Sequence, residues 1–280
     1  MIKKALCVLP LAIALNAHAN PYAGKAPEEI LDMLAEKTKS SFLTQSPQNR
    51  MMMPDNPAYQ VIEEGEKLWK QKRGPKNASL EQCDFGKGPG VLKGAYVELP
   101  RYFPDTGKVM DLESRLVHCM KTLQGFTNDD PQIKQRHGNN TDVMRLMAYI
   151  AYQSNGMLWN PPMNHPLEKA YRDAGEVLFY RRAGTLDLSC AACHTTTGGR
   201  IRASVLPNVK NPMEWTKAIS WPAFRTSQES VRSSQHRVLE CLWQMRYPNI
   251  RPDSDVMLAY ISFWTDAARG QPAILPDLKR

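Results

Sequence analysis

Ser189-Cys190-Ala191-Ala192-Cys193-His194 decides how the rest of the chain is read. Cys-x-x-Cys-His is the attachment sequence of c-type haem. Two thiols on neighbouring turns reach the two vinyl groups of one porphyrin, and the imidazole that follows becomes the proximal iron ligand. A zinc site would want a second close Cys/His pair, and none follows. Cys190, Cys193 and His194 are therefore the candidate cofactor-binding residues for one covalent haem c.

The start of the chain agrees with that chemistry. Met1-Ile2-Lys3-Lys4, an apolar run to Leu15 and Ala17-His18-Ala19 make a basic start, a short apolar stretch and a small-x-small cleavage site. They predict a signal peptide over residues 1–19. No segment is long and apolar enough to span a bilayer. The mature protein is expected in the periplasm, where haem attachment and disulfides are both possible. Lys and Arg outnumber Asp and Glu by 36 to 28, a balance that favours anionic partners. Outside the cytoplasm these are small anions or an acidic protein, and no nucleic acid is expected.

Residues 20–54 read as a polar N-terminal extension with one amphipathic helix, Pro27 to Lys37, and a Met51-Met52-Met53-Pro54 linker. Beyond it, residues 55–165 and 166–280 carry the same landmarks in the same order, which argues for a duplicated domain. Gly65-Glu66-Lys67-Leu68-Trp69 matches Gly175-Glu176-Val177-Leu178-Phe179. Counting on from each Gly by the same interval reaches Cys83 and Cys193, then Gly88 and Gly198. Arg115-Leu116-Val117-His118-Cys119 matches Arg237-Val238-Leu239-Glu240-Cys241. Each half closes with an apolar helical pattern, around Leu146–Ile150 and Met257–Ile261. Strand signals are scarce. The expected fold is mainly α, two tandem cytochrome c-like domains. Aligned on Cys83, Leu80 stands in place of Cys190 and Asp84 in place of His194, so the first domain is expected to hold no haem.

With Cys7 inside the signal peptide, the cysteines left are Cys83, Cys119, Cys190, Cys193 and Cys241. The repeat sets Cys83 and Cys119 on facing sides of a domain that lacks haem, where a disulfide is the natural outcome of an oxidising compartment. Cys241 then remains odd, which marks a reactive thiol or an intermolecular bond. Its repeat position is the distal side of the haem domain, so its sulfur is a candidate sixth ligand to iron. Arg237 lies one helical turn before it, and His236 and Arg246 flank it. Cations beside a thiol favour thiolate, and an Arg fork matches an oxyanion. Arg225, Arg200 and Arg202 read as surface charges that could contribute. Met213 and Met245 compete for the distal position. A Met ligand would make this a plain electron-transfer cytochrome.

The second half resembles the A subunit of the SoxAX cytochromes of bacterial thiosulfate oxidation. The resemblance rests on Gly175 to Gly184, Leu188 to His194, Trp221-Pro222-Ala223-Phe224-Arg225, and His236 through Cys241 to Arg246. It extends over nearly the whole mature chain and implies the one-haem type, with a disulfide in place of the first haem. It implies an L-cysteine S-thiosulfotransferase that joins thiosulfate oxidatively to a cysteine of a SoxYZ-like carrier and passes two electrons to haem c. It implies Cys241 as iron ligand and active cysteine, found as a persulfide. It also implies Arg237 at the substrate, and a small SoxX-like monohaem cytochrome as partner. Arg246 and His236 are further candidates for substrate binding. A thiosulfate dehydrogenase-like cytochrome forming tetrathionate is the alternative with the same Cys-ligated haem.

Overall fold

The computed structural model describes residues 20–45, 55–201 and 204–280. The expected signal peptide, the Met51–Pro54 linker and Arg202 lie outside the described residues. Among the described residues the helices that organise the fold include α1 Pro27–Thr38, α2 Ala58–Lys70, α3 Leu112–Gln124, α4 Asp142–Tyr152, α5 Pro166–Tyr180, α6 Cys190–His194, α7 Pro212–Ile219, α8 Ser234–Gln244 and α9 Asp255–Ala267. Most begin with a side chain that accepts from an otherwise unpaired N–H. Asp111 caps α3, Thr141 α4, Ser189 α6, Ser233 α8 and Ser254 α9.

The two halves share local geometry at the positions that match in sequence. In the first half α2 crosses α4 at Gly65, where a Cβ would fall 2.1 Å from the Arg145 carbonyl oxygen. In the second half α5 crosses α9 at Gly175, where a Cβ would fall 1.9 Å from that of Ala259. Only glycine lets the backbones approach so closely. After each first helix a one-bridge turn follows at matching positions, Arg73 with Ala78 and Ala183 with Leu188. The segment that follows holds Cys83 in one half and, within α6, Cys193 in the other.

Strands are short, as the sparse strand signals suggest. β1 Arg101–Phe103 and β2 Lys108–Met110 form a hairpin, as do β3 Arg200–Ile201 and β4 Ser204–Val205. β5 Ala223–Arg225 is flanked by antiparallel β6 Ser230–Arg232 and parallel β7 Asp277–Lys279. The last pairing sets Lys279 opposite Arg225.

The two halves share one buried core. It runs from Trp69, Leu116 and Ile150 through Trp159 to Phe179, Trp215 and Tyr260. A polar seam joins them as well. Buried Glu113 of α3 meets Arg136 at 2.8 Å and Ser233, the cap of α8, at 2.7 Å, while Gln235 donates to both Asp111 and Asp253. The extension is more than a polar tail. Ile30, Leu31, Leu34, Phe42 and Leu43 pack with Val205 and Ile274 of the second half.

Candidate functional site

The first half closes on sulfur. Cys83 and Cys119 form a disulfide with Cα atoms 5.6 Å apart. Asp84, in the place of His194, accepts from Gly86 N at 2.6 Å and Gly88 N at 2.9 Å, so it shapes the loop by an Asx-type turn. Arg115, the counterpart of Arg237, is spent on Asp105 at 2.8 Å.

In the second half Cys190, Cys193 and Cys241 are free thiols. Together with His194 and Arg237 they line one cavity of about 560 Å³. Ser189 starts α6 and presents Cys190 in its first turn and Cys193 one turn on. Burial and the nearby Cys241 charge both push the thiols of Cys190 and Cys193 up. Burial likewise holds His194 below the usual histidine range, and Arg237 adds to this, against the pull of the Pro207 carbonyl. That carbonyl lies 3.0 Å from His194 Nδ1 and can only accept, so Nδ1 carries the proton and Nε2 keeps its lone pair. A neutral, oriented imidazole is what a haem ligand requires.

Cys241, on α8, lines the same cavity. The Cys241 charge beside it and Glu240 hold Arg237 more firmly protonated, against burial. Glu240 gathers the neighbouring donors: Arg225, Arg237 at 3.3 Å, and Gln228 at 2.6 Å. Burial alone would raise its carboxyl. His236, Arg225 and Arg237 overcome that and hold it at about 2.

The site residues expected from sequence divide. Cys190, Cys193, His194, Cys241 and Arg237 meet at the cavity. Arg246 and His236 do not line it. Arg246 follows α8 with φ of 57°, and its guanidinium lies 4.6 Å above the Trp243 ring. His236 packs edge-on against His137 at 5.9 Å, with Nε2 3.5 Å from Glu240. Met245 does line the cavity, whereas Met213 packs with the α1 cluster. Arg225 reaches the cavity and Arg200 is exposed on β3.

Sequence reasoning missed Glu240, Lys217, Lys279, Arg280 and Trp264. Glu240 had a signal, three and four residues after Arg237 and His236. The others arrive by strand pairing and packing. Lys217, Lys279, Arg280 and Trp264 line an adjoining part of the cavity, about 170 Å³, that also includes His194, Arg237 and Cys241. Trp264 Nε1 is buried without a hydrogen-bond partner. The two thiols, the neutral imidazole and this unpaired donor fit a haem c tethered at Cys190 and Cys193.

Comparison with known proteins bears on this arrangement. The model of the "SoxA/TsdA, cytochrome c domain" family matches residues 64–158, in the half without the attachment motif. The L-cysteine S-thiosulfotransferase subunit SoxA of Hydrogenophilus thermoluteolus is 42% identical over 230 residues, covering 80% of this chain and 83% of the relative. The subunit of the same name from Hydrogenobacter thermophilus is 35% identical over 185 residues, with 66% and 67% covered. The crystal structure of SoxXA from P. pantotrophus has a chain with the same fold. Its TM-score is 0.71 at 23% identity, covering 89% of this chain and 90% of that one. Among the described residues no helix is long and apolar enough to cross a membrane.

Proposed function

The chain belongs to the SoxA family, subunits of L-cysteine S-thiosulfotransferase, and we propose that Cys241 and Arg237 carry its reaction beside a single haem c held by Cys190, Cys193 and His194. The substrate is thiosulfate, and the acceptor is a cysteine of a SoxYZ-like carrier. A carrier thiol and thiosulfate give a cysteine S-thiosulfonate, one proton and two electrons. Bound haem c supplies the exit for those electrons.

The observation that carries this reading is the meeting of Cys241, Arg237 and His194 at one cavity. Arg237 offers a planar fork to the sulfonate end of thiosulfate. Glu240 fixes that guanidinium from behind, so its orientation is set before substrate arrives. Cys241 supplies a polarisable sulfur beside the same cation. Cys241, which lines the same cavity as His194, would offer a second ligand to the iron of a bound haem. A small SoxX-like cytochrome as partner and export to the periplasm after cleavage at Ala19 complete the proposal.

Met245 lines the same cavity one turn after Cys241, which favours a second reading, a His/Met electron carrier. One experiment separates the two. The haem-loaded Cys241→Ala protein is mixed with thiosulfate and carrier, and the carrier cysteine is weighed by mass spectrometry. The proposal expects an unmodified carrier with full haem content. Adduct formation at the parent rate would sink it.

A further inference from the structure

Two clusters of the same make-up stand at the cavity. Arg225 and Arg237 share Glu240. Lys217 and Lys279 share Asp277, with Lys217 Nζ 3.0 Å and Lys279 Nζ 2.9 Å from the same Oδ2. Each cluster sets two cations on one carboxylate and so leaves one positive charge unbalanced. The lysine cluster is the more buried: the side chains of Lys217, Asp277 and Lys279 are 7%, 2% and 13% exposed. An unbalanced buried charge is costly unless something pairs with it. Burial lowers Lys279 to about 8 against the attraction of Asp277, and Lys217 and Arg237 add to the lowering. Lys279 Nζ also lies 4.9 Å above the Trp221 ring. Nothing within the cluster supplies the missing anion.

Its position points to one. Lys217 and Lys279 line the part of the cavity that includes His194 and Cys241 but neither Cys190 nor Cys193. The two thiols belong to the larger, adjoining part. A porphyrin tied through its vinyl groups carries its two propionates on the edge away from those bonds. With its vinyl edge held at Cys190 and Cys193, a bound haem would turn its free edge toward the part of the cavity without thiols. Resting on the proposed attachment at Cys190 and Cys193, we infer that Lys279, held by Asp277 and paired with Lys217, anchors a haem propionate. The arginine cluster is then left for the sulfur oxyanion. α7 and β7 thus supply a positioning device for the cofactor, and α8 supplies the substrate contact.

The test is a redox titration of the haem-loaded chain without thiosulfate, together with thiosulfate binding by calorimetry. Removing a cation beside a propionate favours ferric iron. Lys279→Met is expected to move the ferric–ferrous equilibrium about tenfold toward ferric, a fall of about 59 mV for one electron. Lys279→Arg is expected to stay near the parent, and thiosulfate affinity to hold in both. Lys279→Gln keeps a polar side chain and gives the same reading should the Met variant fold poorly. An unmoved potential in the neutral variants overturns the inference. If thiosulfate affinity falls instead, the lysines belong to a free oxyanion. Because no turnover is measured, the outcome is independent of whether Cys241 couples sulfur.

Discussion

Gly175 meets the carbonyl oxygen of Ala259 so closely that a Cβ on the glycine would stand 1.9 Å away. Helix α5 crosses α9 at this point, and the crossing sets the frame around the haem-type loop. A methyl group there forces the helices apart. Overpacking costs about 1–3 kcal/mol, more than the roughly 1 kcal/mol of helix propensity that Ala adds. Gly175→Ala is expected to lower the denaturant midpoint with little change in slope, a result that equilibrium unfolding reads directly. An unchanged or raised midpoint would mean that the crossing relaxes freely.

The Cys83–Cys119 bridge spans 36 residues and closes the first half. Replacing both cysteines by Ser is expected to cost about 2–4 kcal/mol. Haem content should stay at that of the parent, because Cys190, Cys193 and His194 lie in the other half. The paired readout is thermal unfolding and haem absorbance per chain. Loss of haem with an unchanged melting temperature would contradict this division of labour.

Asp111 links pH to the seam between the halves. Burial and neighbouring Glu113 raise its carboxyl to about 6, although Ser114 hydrogen bonds oppose them. An acid raised in the folded state destabilises the fold as pH climbs from its unfolded value near 4 toward 6. Asp111→Asn keeps the cap on α3 and removes the charge. It is expected to stabilise the protein at pH 7 by on the order of 2 kcal/mol and to flatten the stability change between pH 4 and 6. Chemical denaturation across that range checks both.

Arg237→Lys keeps the charge and loses the fork. A charge-assisted hydrogen bond is worth about 1.5–3 kcal/mol, so kcat/KM for thiosulfate is expected to fall at least about tenfold. Steady-state kinetics on the haem-loaded protein measures it. Parent-like kinetics would show that only the charge of Arg237 is used.

Much of this was legible in the chain because the repeat is written in local signals. The paired glycines, the Cys positions and the Arg-x-x-x-Cys spacing all survive as geometry. Arg237 falls about 40° from Cys241 around a helix of 3.6 residues per turn, and His236 about 140° away. Proximity in sequence therefore brought one to the cavity and turned the other toward His137. Arg246 lies past the end of α8, where its left-handed backbone sends it onto Trp243. Lys279 is 54 residues from Arg225 in sequence and becomes its neighbour only through the parallel pairing of β5 and β7. No local pattern announces such a contact.

The placement of the N-terminal extension changes what counts as a unit of this protein. Phe42 and Gln45, from the segment ahead of both repeats, help wall the chamber that holds Lys279, and Gln45 exchanges hydrogen bonds with the Val205 backbone. A fragment trimmed to the second repeat would keep the entire attachment motif and lose that wall. The cavity thus draws on a segment of chain that neither of the two matching halves contains.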